Sequence, residues 1–294
     1  MPTVALPAFA KINTVLYVLG RRADGYHELR TVFQTIGLHD TLELSLLRRG
    51  RIELECDLPA LPSGRNNLIW RAVAAARRAL RLQAGVHVRL EKRIPIARGL
   101  GGGSSDAAAA ILGLERLAGR PLPPEERLRI AAALGSDVPF FLFGGRALGI
   151  GRGEEIYPLP DAPKRSVLLV SPSGISVRTA DAYRWLRAPR LTARPAHRTL
   201  RRFCALCWSG QGSLLENDFE APVFRRHPRL PRIKRALLRH GAAEALLAGS
   251  GSAVFGIFQS PAMARRAAFA FPDDQVFLTE TVSREEYLRA VRGR

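Results

Sequence analysis

The sequence predicts an α+β chain of two domains, residues 1–160 and 161–294. Three observations carry that prediction. A chain of 294 residues has the length of two ordinary domains. The first half runs from strands into a strand, glycine loop and helix at GLGGGSSDAA (99–108). The second half alternates helical and strand-like segments in an α+β pattern, after a boundary at PDAPK (160–164).

Taken in order, residues 6–18 alternate as a strand, and 31–47 and 51–58 read as further strands. NNLIWRAVAAARRALRL (66–82) reads as a helix with Asn66 or Asn67 near its start. In GVHVRLEKRIPIA, Val86, Val88 and Leu90 alternate with His87, Arg89 and Glu91, the period of a strand. Beyond the glycines, AAAAILGLERL is rich in helix formers. Ser104 or Ser105 can cap that helix, and Asp106 falls in its first turn, where negative charge suits the dipole. A helix at 123–134 follows, then two short strands around glycine turns within 140–159. Past the boundary come a strand at 166–173, helices at 179–186 and 227–241, and a strand–turn–strand at 245–258. A helix at 261–271 and a strand at 275–282 close the pattern.

The glycine run is not a linker, because it is wedged between two regular elements. Glycines admit positive φ and close approach of a ligand. The free N–H groups of the first helical turn point into the loop. Together these make an anion site, most often for phosphate. No Walker A motif occurs, and the G-x-G-x-x-G spacing fits poorly.

Composition narrows the classes. No run of 18 apolar residues exists, and the N-terminus lacks the pattern of a signal peptide. Three cysteines, Cys56, Cys204 and Cys207, are too few for a disulfide scaffold and suit a reducing cytoplasm. The lone CxxC at Cys204–Cys207 has no second CxxC or paired histidines to support a metal or redox role. The net charge of +19 raises nucleic-acid binding. Against it, aromatic residues are 7% and no aromatic–basic interleaving occurs, so nucleic acid is not an expected partner. The basic stretch 187–203 reads as an exposed, partly irregular loop. Of 45 basic residues only Lys11, Lys92, Lys164 and Lys234 are lysine, which draws attention to each of them.

Three segments together resemble the GHMP kinases, the superfamily of galactokinase, homoserine kinase, mevalonate kinase and phosphomevalonate kinase. GLGGGSSDAA resembles their phosphate loop, PAFAKINTVLYVLGRRADGYHELRTVFQTI (7–36) an N-terminal motif, and AGSGSAVFG (248–256) the C-terminal glycine motif. DGYHEL resembles the branch whose alcohol substrate carries a cytidine diphosphate. The resemblance implies a ribosomal-S5-like α/β first domain and a ferredoxin-like α+β second domain. It also implies a cytoplasmic enzyme that phosphorylates such an alcohol with ATP and Mg²⁺ in isoprenoid precursor synthesis. A monomer or weak homodimer is expected.

The same resemblance gives the site. Asp137, in LGSDVPFF, matches the aspartate that activates the substrate hydroxyl. Lys11 lies on an apolar strand, where an ammonium is costly unless paired, and it would keep a nearby Asp137 ionised. The loop Pro95, Ile96, Ala97, Arg98, Gly99 and Leu100 is expected to hold ATP. It continues through Gly101, Gly102, Gly103, Ser104 and Ser105, with Asn67 and Lys92 near the adenosine and the Mg²⁺ ligands left open. Asn13, Tyr26 and His27 are candidates for the cytosine ring, with Tyr183 a second stacking partner. Gly249, Ser250 and Gly251 are expected to close over the substrate. Two positions depart from the family pattern. Ala248 stands where a hydroxyl residue is common, and Arg98 where a small residue is common. A long cation there would help a nucleotide or crowd it.

Overall fold

A pair of long antiparallel strands, β1 (Thr3–Arg21) and β2 (His27–Leu47), forms the spine of the structure. The computed structural model describes residues 2–48, 50–59, 61–188 and 215–293. The paired Cys204 and Cys207, and the basic stretch from 189 onward, lie outside the described residues. Along one edge of β2 lie two partners end to end: β4 (Gly85–Glu91) beside its second half and β5 (Arg146–Gly151) beside its first. β3 (Ile52–Cys56) runs parallel to β4, and β6 (Glu155–Pro158) pairs with β5. The other edge of β1 takes the short β8 (Glu216–Asn217), which completes a seven-stranded sheet.

β1 is buried on both faces because two cores meet on it. Leu6 and Ala8 pack under the helices α1 (Leu68–Ala79), α2 (Gly102–Leu117) and α3 (Pro124–Leu134). A break in register between Phe9 and Ala10 then reverses the strand's faces. Ala10 and Ile12 point instead at a second sheet, and Lys11 is left facing the α2 side. α2 can lie close on the sheet because its inner face is alanine and glycine. A Cβ on Gly113 would sit 2.7 Å from Leu44 Cδ1.

The second sheet has the order β11–β7–β10–β9, antiparallel throughout. Its strands are β7 (Ser166–Ser171), β9 (Glu244–Leu247), β10 (Val254–Phe258) and β11 (Gln275–Glu280). Between them run α4 (Thr179–Leu186), α5 (Glu220–Arg226), α6 (Arg229–Arg239) and α7 (Pro261–Ala268). The order β7, helices, β9, β10, α7, β11 is the ferredoxin-like β-α-β-β-α-β arrangement. β7 is buried along its whole length. Leu168 and Val170 face the helices, while Val167 and Leu169 face Ala10 and Ile12. Among the described residues no helix is long and apolar enough to cross a membrane.

Three elements have no counterpart in the sequence reading: β8, α5 and the C-terminal helix α8 (Arg284–Arg292). α8 returns to the first sheet, where Tyr287 and Val291 pack on Phe9, and the Tyr287 hydroxyl donates to the Phe141 carbonyl. Its start was legible as a capping box. Ser283 accepts from the Glu286 N–H while the Glu286 carboxylate accepts from the Ser283 N–H.

The start of α2 corrects the sequence expectation. The helix begins at Gly102, and its N-cap is Gly101 at φ +73, without a side-chain cap. Neither Ser104 nor Ser105 caps it, because the glycine run itself enters the first turn and leaves the backbone N–H groups there without a side-chain acceptor. Asp106 is consequently one turn further in and buried at 3% exposure.

Candidate active site

The glycine loop, the two long strands and α4 enclose a cavity of about 830 Å³. Two backbone contacts set its floor. A Cβ on Gly101 would meet Phe141 Cζ at 2.8 Å and Lys11 Cγ at 3.1 Å, so the loop rests on the stem of Lys11. A Cβ on Gly99 would fall 1.9 Å from the Ala248 carbonyl oxygen, so the phosphate-type loop and the C-terminal glycine loop touch backbone to backbone. Both glycines have positive φ, +80 at Gly99 and +73 at Gly101.

Lys11 is 4% exposed and its backbone N–H donates to the Leu100 carbonyl, which ties β1 to the loop. Its ammonium lies 3.3 Å from Asp137 Oδ2 and donates to Asn13 Oδ1 at 2.7 Å. Asn13 Nδ2 donates to Thr31 Oγ1, which donates to the Val15 carbonyl. This chain of bonds fixes Lys11 from behind and uses both ends of the Asn13 amide. Asp137 sits in the turn after α3, and a third of its side chain is exposed toward the cavity. The structure thus brings the carboxylate, the ammonium and the first turn of α2 into one cleft. A carboxylate beside a hydroxyl can take its proton, and an ammonium next to both can hold the charge that develops.

Lys92 lines the cavity, with its ammonium held by carboxylates. Its ammonium is buried under the loop, donating to Asp40 and, at 3.2 Å, to Asp106 Oδ2. Burial opposes its charge, yet the carboxylates of Asp106 and Asp40 raise its pKa. Burial drives the Asp106 carboxyl well above the usual carboxylate range, with Lys92 opposing and Asp40 reinforcing the shift. Asp40 also accepts from the Arg93 and Ile94 N–H groups, which pins the approach to the glycine loop. The sequence reading missed Asp40. Its signal was an aspartate inside the apolar run of β2.

The other predicted residues divide. Pro95 to Gly103 and Ser104 line the cavity. Ser105 does not: it is 1% exposed and its hydroxyl is turned into the packing under α2. Asn67 lines the cavity but uses its side chain as the α1 cap, accepting from the Ile69 N–H and donating to the Pro62 carbonyl. Gly249 and Ser250 line the cavity, whereas Gly251 lies behind them against Leu247. Asn217 was not foreseen. Its amide donates to the Leu247 and Gly249 carbonyls and so holds the C-terminal glycine loop in place.

At the far end, His27 and Tyr183 stack with centroids 4.5 Å apart and planes 20° apart, joining β2 to α4. Phe219 closes on Tyr183 edge-on at 4.8 Å. Burial raises the Tyr183 phenol, and the charge of Asp137 adds to it. Burial, then the nearby Arg21, lowers the His27 pKa. Tyr26 stands outside this stack, 53% exposed, with the Arg152 guanidinium 4.7 Å from its ring. His27 and Tyr183 therefore contact each other directly, with Tyr26 as the open aromatic face.

A glycine loop at a helix start, a carboxylate paired with an ammonium in the same cleft, and a ferredoxin-like lobe are the arrangement of a small-molecule kinase fold. The family model for the GHMP kinases N terminal domain matches residues 67–145, and that for GHMP kinases C terminal matches 192–275. The 4-diphosphocytidyl-2-C-methyl-D-erythritol kinase of Solibacter usitatus is 47% identical over 286 residues, 96% of this chain and 90% of that protein. That of Moorella thermoacetica is 45% identical over 277 residues, covering 91% and 94%. A crystal structure of a 4-(cytidine 5'-diphospho)-2C-methyl-D-erythritol kinase superposes with a TM-score of 0.78 at 35% identity, covering 95% of this chain and 99% of that one. The chain belongs to the GHMP kinases, in the branch formed by the 4-diphosphocytidyl-2-C-methyl-D-erythritol kinases.

Proposed function

We propose that this protein transfers the terminal phosphoryl group of ATP to the 2-hydroxyl of 4-diphosphocytidyl-2-C-methyl-D-erythritol, in the non-mevalonate route to isoprenoid precursors. The observation that carries this is the Asp137–Lys11 pair, 3.3 Å apart, in the cavity that the glycine loop lines. Asp137 takes the proton of the hydroxyl as its oxygen attacks the phosphorus, and the bond from phosphorus to the ADP oxygen breaks. Lys11 neutralises the charge that builds on the attacking oxygen, and Asn13 keeps its ammonium aimed there. Backbone N–H groups within residues 96–104 hold the phosphate chain. Positioning and charge neutralisation of this kind make up most of the catalysis of phosphoryl transfer.

Mg²⁺ belongs to this reading as a companion of the nucleotide. Among the described residues no cluster of three or more acidic, histidine or cysteine side chains could cage an ion. Oxygen donors from Ser104 at the cavity wall and from the phosphates themselves fit the sparse protein ligation that Mg²⁺ prefers. Bound there, it would supply positive charge to the phosphates.

Tyr26, 53% exposed, is the platform assigned to cytosine, with the His27–Tyr183 stack as the wall beside it. Residues 1–160 supply the nucleotide cradle and base, and residues 161–294 supply α4 and the closing glycine loop. The protein is assigned to the cytoplasm as a monomer or weak homodimer. The deciding experiment is coupled ADP release with ATP and, in turn, the cytidylated alcohol, homoserine and mevalonate. Turnover confined to the first is expected, and strong turnover of an alcohol without cytosine would refute the assignment of Tyr26 and His27.

A further inference from the structure

Among the described residues four lysines and arginines line the cavity: Lys11, Lys92, Arg98 and Arg152. Three of them face carboxylates. Lys11 pairs with Asp137 at 3.3 Å, Lys92 with Asp106 at 3.2 Å and with Asp40, and Arg152 with Glu154 at 2.8 Å. Arg98 has no carboxylate partner among the described residues, and residues 189–214 contain no Asp or Glu to provide one. Its Nη1 donates to Ser252 Oγ at 2.6 Å. Ser252 is fully buried and spends its own proton on the Ile175 carbonyl at 2.7 Å, so its lone pair is fixed toward Arg98. A neutral hydroxyl orients a guanidinium but does not balance its charge. Burial accordingly lowers the Arg98 pKa. Arg98 lines the same cavity as Gly99 and the rest of the glycine loop, and its guanidinium has further N–H donors beyond the one held by Ser252.

We propose that Arg98 is a phosphate clamp, held by Ser252, that binds the phosphate chain of a nucleotide in this cavity. The proposal rests on the kinase reading above and adds to it a side chain that the glycine loop does not need. A planar fork with one arm anchored suits two phosphate oxygens. The same chemistry is present in the tail of ATP and in the diphosphate of the acceptor, and binding ladders separate the two.

The test is calorimetry of wild type, Arg98→Gln and Arg98→Lys with ATP, ADP and AMP, and with CDP and CMP. Arg98→Gln should weaken ATP or CDP by about tenfold or more, the loss of a charged hydrogen bond, while leaving the monophosphate of the same base unchanged. Arg98→Lys should recover part of the loss. A deficit confined to the adenine ladder assigns the clamp to the donor, and one confined to the cytosine ladder assigns it to the acceptor. Equal weakening of di- or triphosphate and monophosphate, or none, overturns the clamp. If wild type still turns over ATP in that case, the kinase reading stands. A wild type that binds neither ATP nor CDP removes both. Should Arg98→Gln unfold, Arg98→Lys decides on both ladders: weaker binding of ATP or CDP than in wild type with the monophosphate unchanged supports the clamp, and no such loss overturns it.

Discussion

The ammonium of Lys11 and the carboxylate of Asp137 meet at 3.3 Å although one is carried by β1 and the other by the turn behind α3. Nothing in the packing of either element requires this, since Asp137 remains one-third exposed. Asp137→Asn keeps the shape and the contact with Lys11 but cannot accept the proton. It is expected to lower kcat by about 10²–10⁴ with an unchanged thermal midpoint, read by ADP release and calorimetry. A variant at the wild-type rate would remove Asp137 as the base.

The buried trio under the glycine loop makes a separate prediction. Lys92→Met leaves Asp40 and Asp106 facing each other without a cation, both almost wholly buried. Breaking such an arrangement from one side costs about 3–5 kcal/mol. Urea unfolding should show that loss, and adding Asp106→Asn should restore part of it by removing one of the opposed charges. A Lys92→Met protein as stable as wild type would mean that the trio is not a charged cluster.

How much of this was legible in the sequence depends on distance along the chain. The alternation in 85–91 and the glycine loop are local patterns, and both emerged as read. The helix start was misjudged because Ser104 and Ser105 are good caps, and only the backbone of Gly101 shows that the turn is already formed before them. Lys11 was marked by its cost on an apolar strand, so a partner could be expected. Lys92 lies just past its strand, between Glu91 and Arg93, where nothing in the sequence marks it as buried, and no periodicity links it to its partner Asp40. Asn217 sits in a two-residue strand, too short to leave any pattern, although it fixes the loop at Gly249. The break in β1 at Phe9 likewise has no sequence signal, yet it decides that Lys11 faces the site.

The C-terminal helix gives a pH test. The hydrogen bond from Lys164, reinforced by the Ser283 N–H, lowers the Glu286 pKa from 4.5 to about 2. A depressed pKa means that the folded state holds the carboxylate more firmly than the unfolded chain does. The stability it contributes is complete above pH 4.5 and is lost as pH falls from 4.5 toward 2. The gap in thermal midpoint between wild type and Glu286→Gln should therefore be constant near neutrality and narrow through that window. A gap independent of pH down to the limit of folding would show that Glu286 is not held as an anion. The carboxylate is 40% exposed, so added salt should narrow the gap at neutral pH as well.

The contact between the two glycine loops can be broken at a single atom. Gly99 has φ +80, and a methyl group there would lie 1.9 Å from the Ala248 carbonyl oxygen, a backbone atom that cannot rotate away. Gly99→Ala must therefore separate the loops as well as accept an unfavourable φ. The two effects together cost about 3 kcal/mol and should reduce turnover with them. Gly103→Ala is the control. Gly103 has no positive φ, its Cβ would make ordinary contact with Leu68 Cδ1 at 3.7 Å, and it lies within α2. Its stability should equal or exceed that of wild type, because alanine favours a helix by up to about 1 kcal/mol over glycine. Thermal unfolding of both variants checks the pair. If Gly99→Ala unfolds no earlier than Gly103→Ala, the loops do not bear on each other, and the C-terminal glycine motif does not position the glycine loop at 99–103.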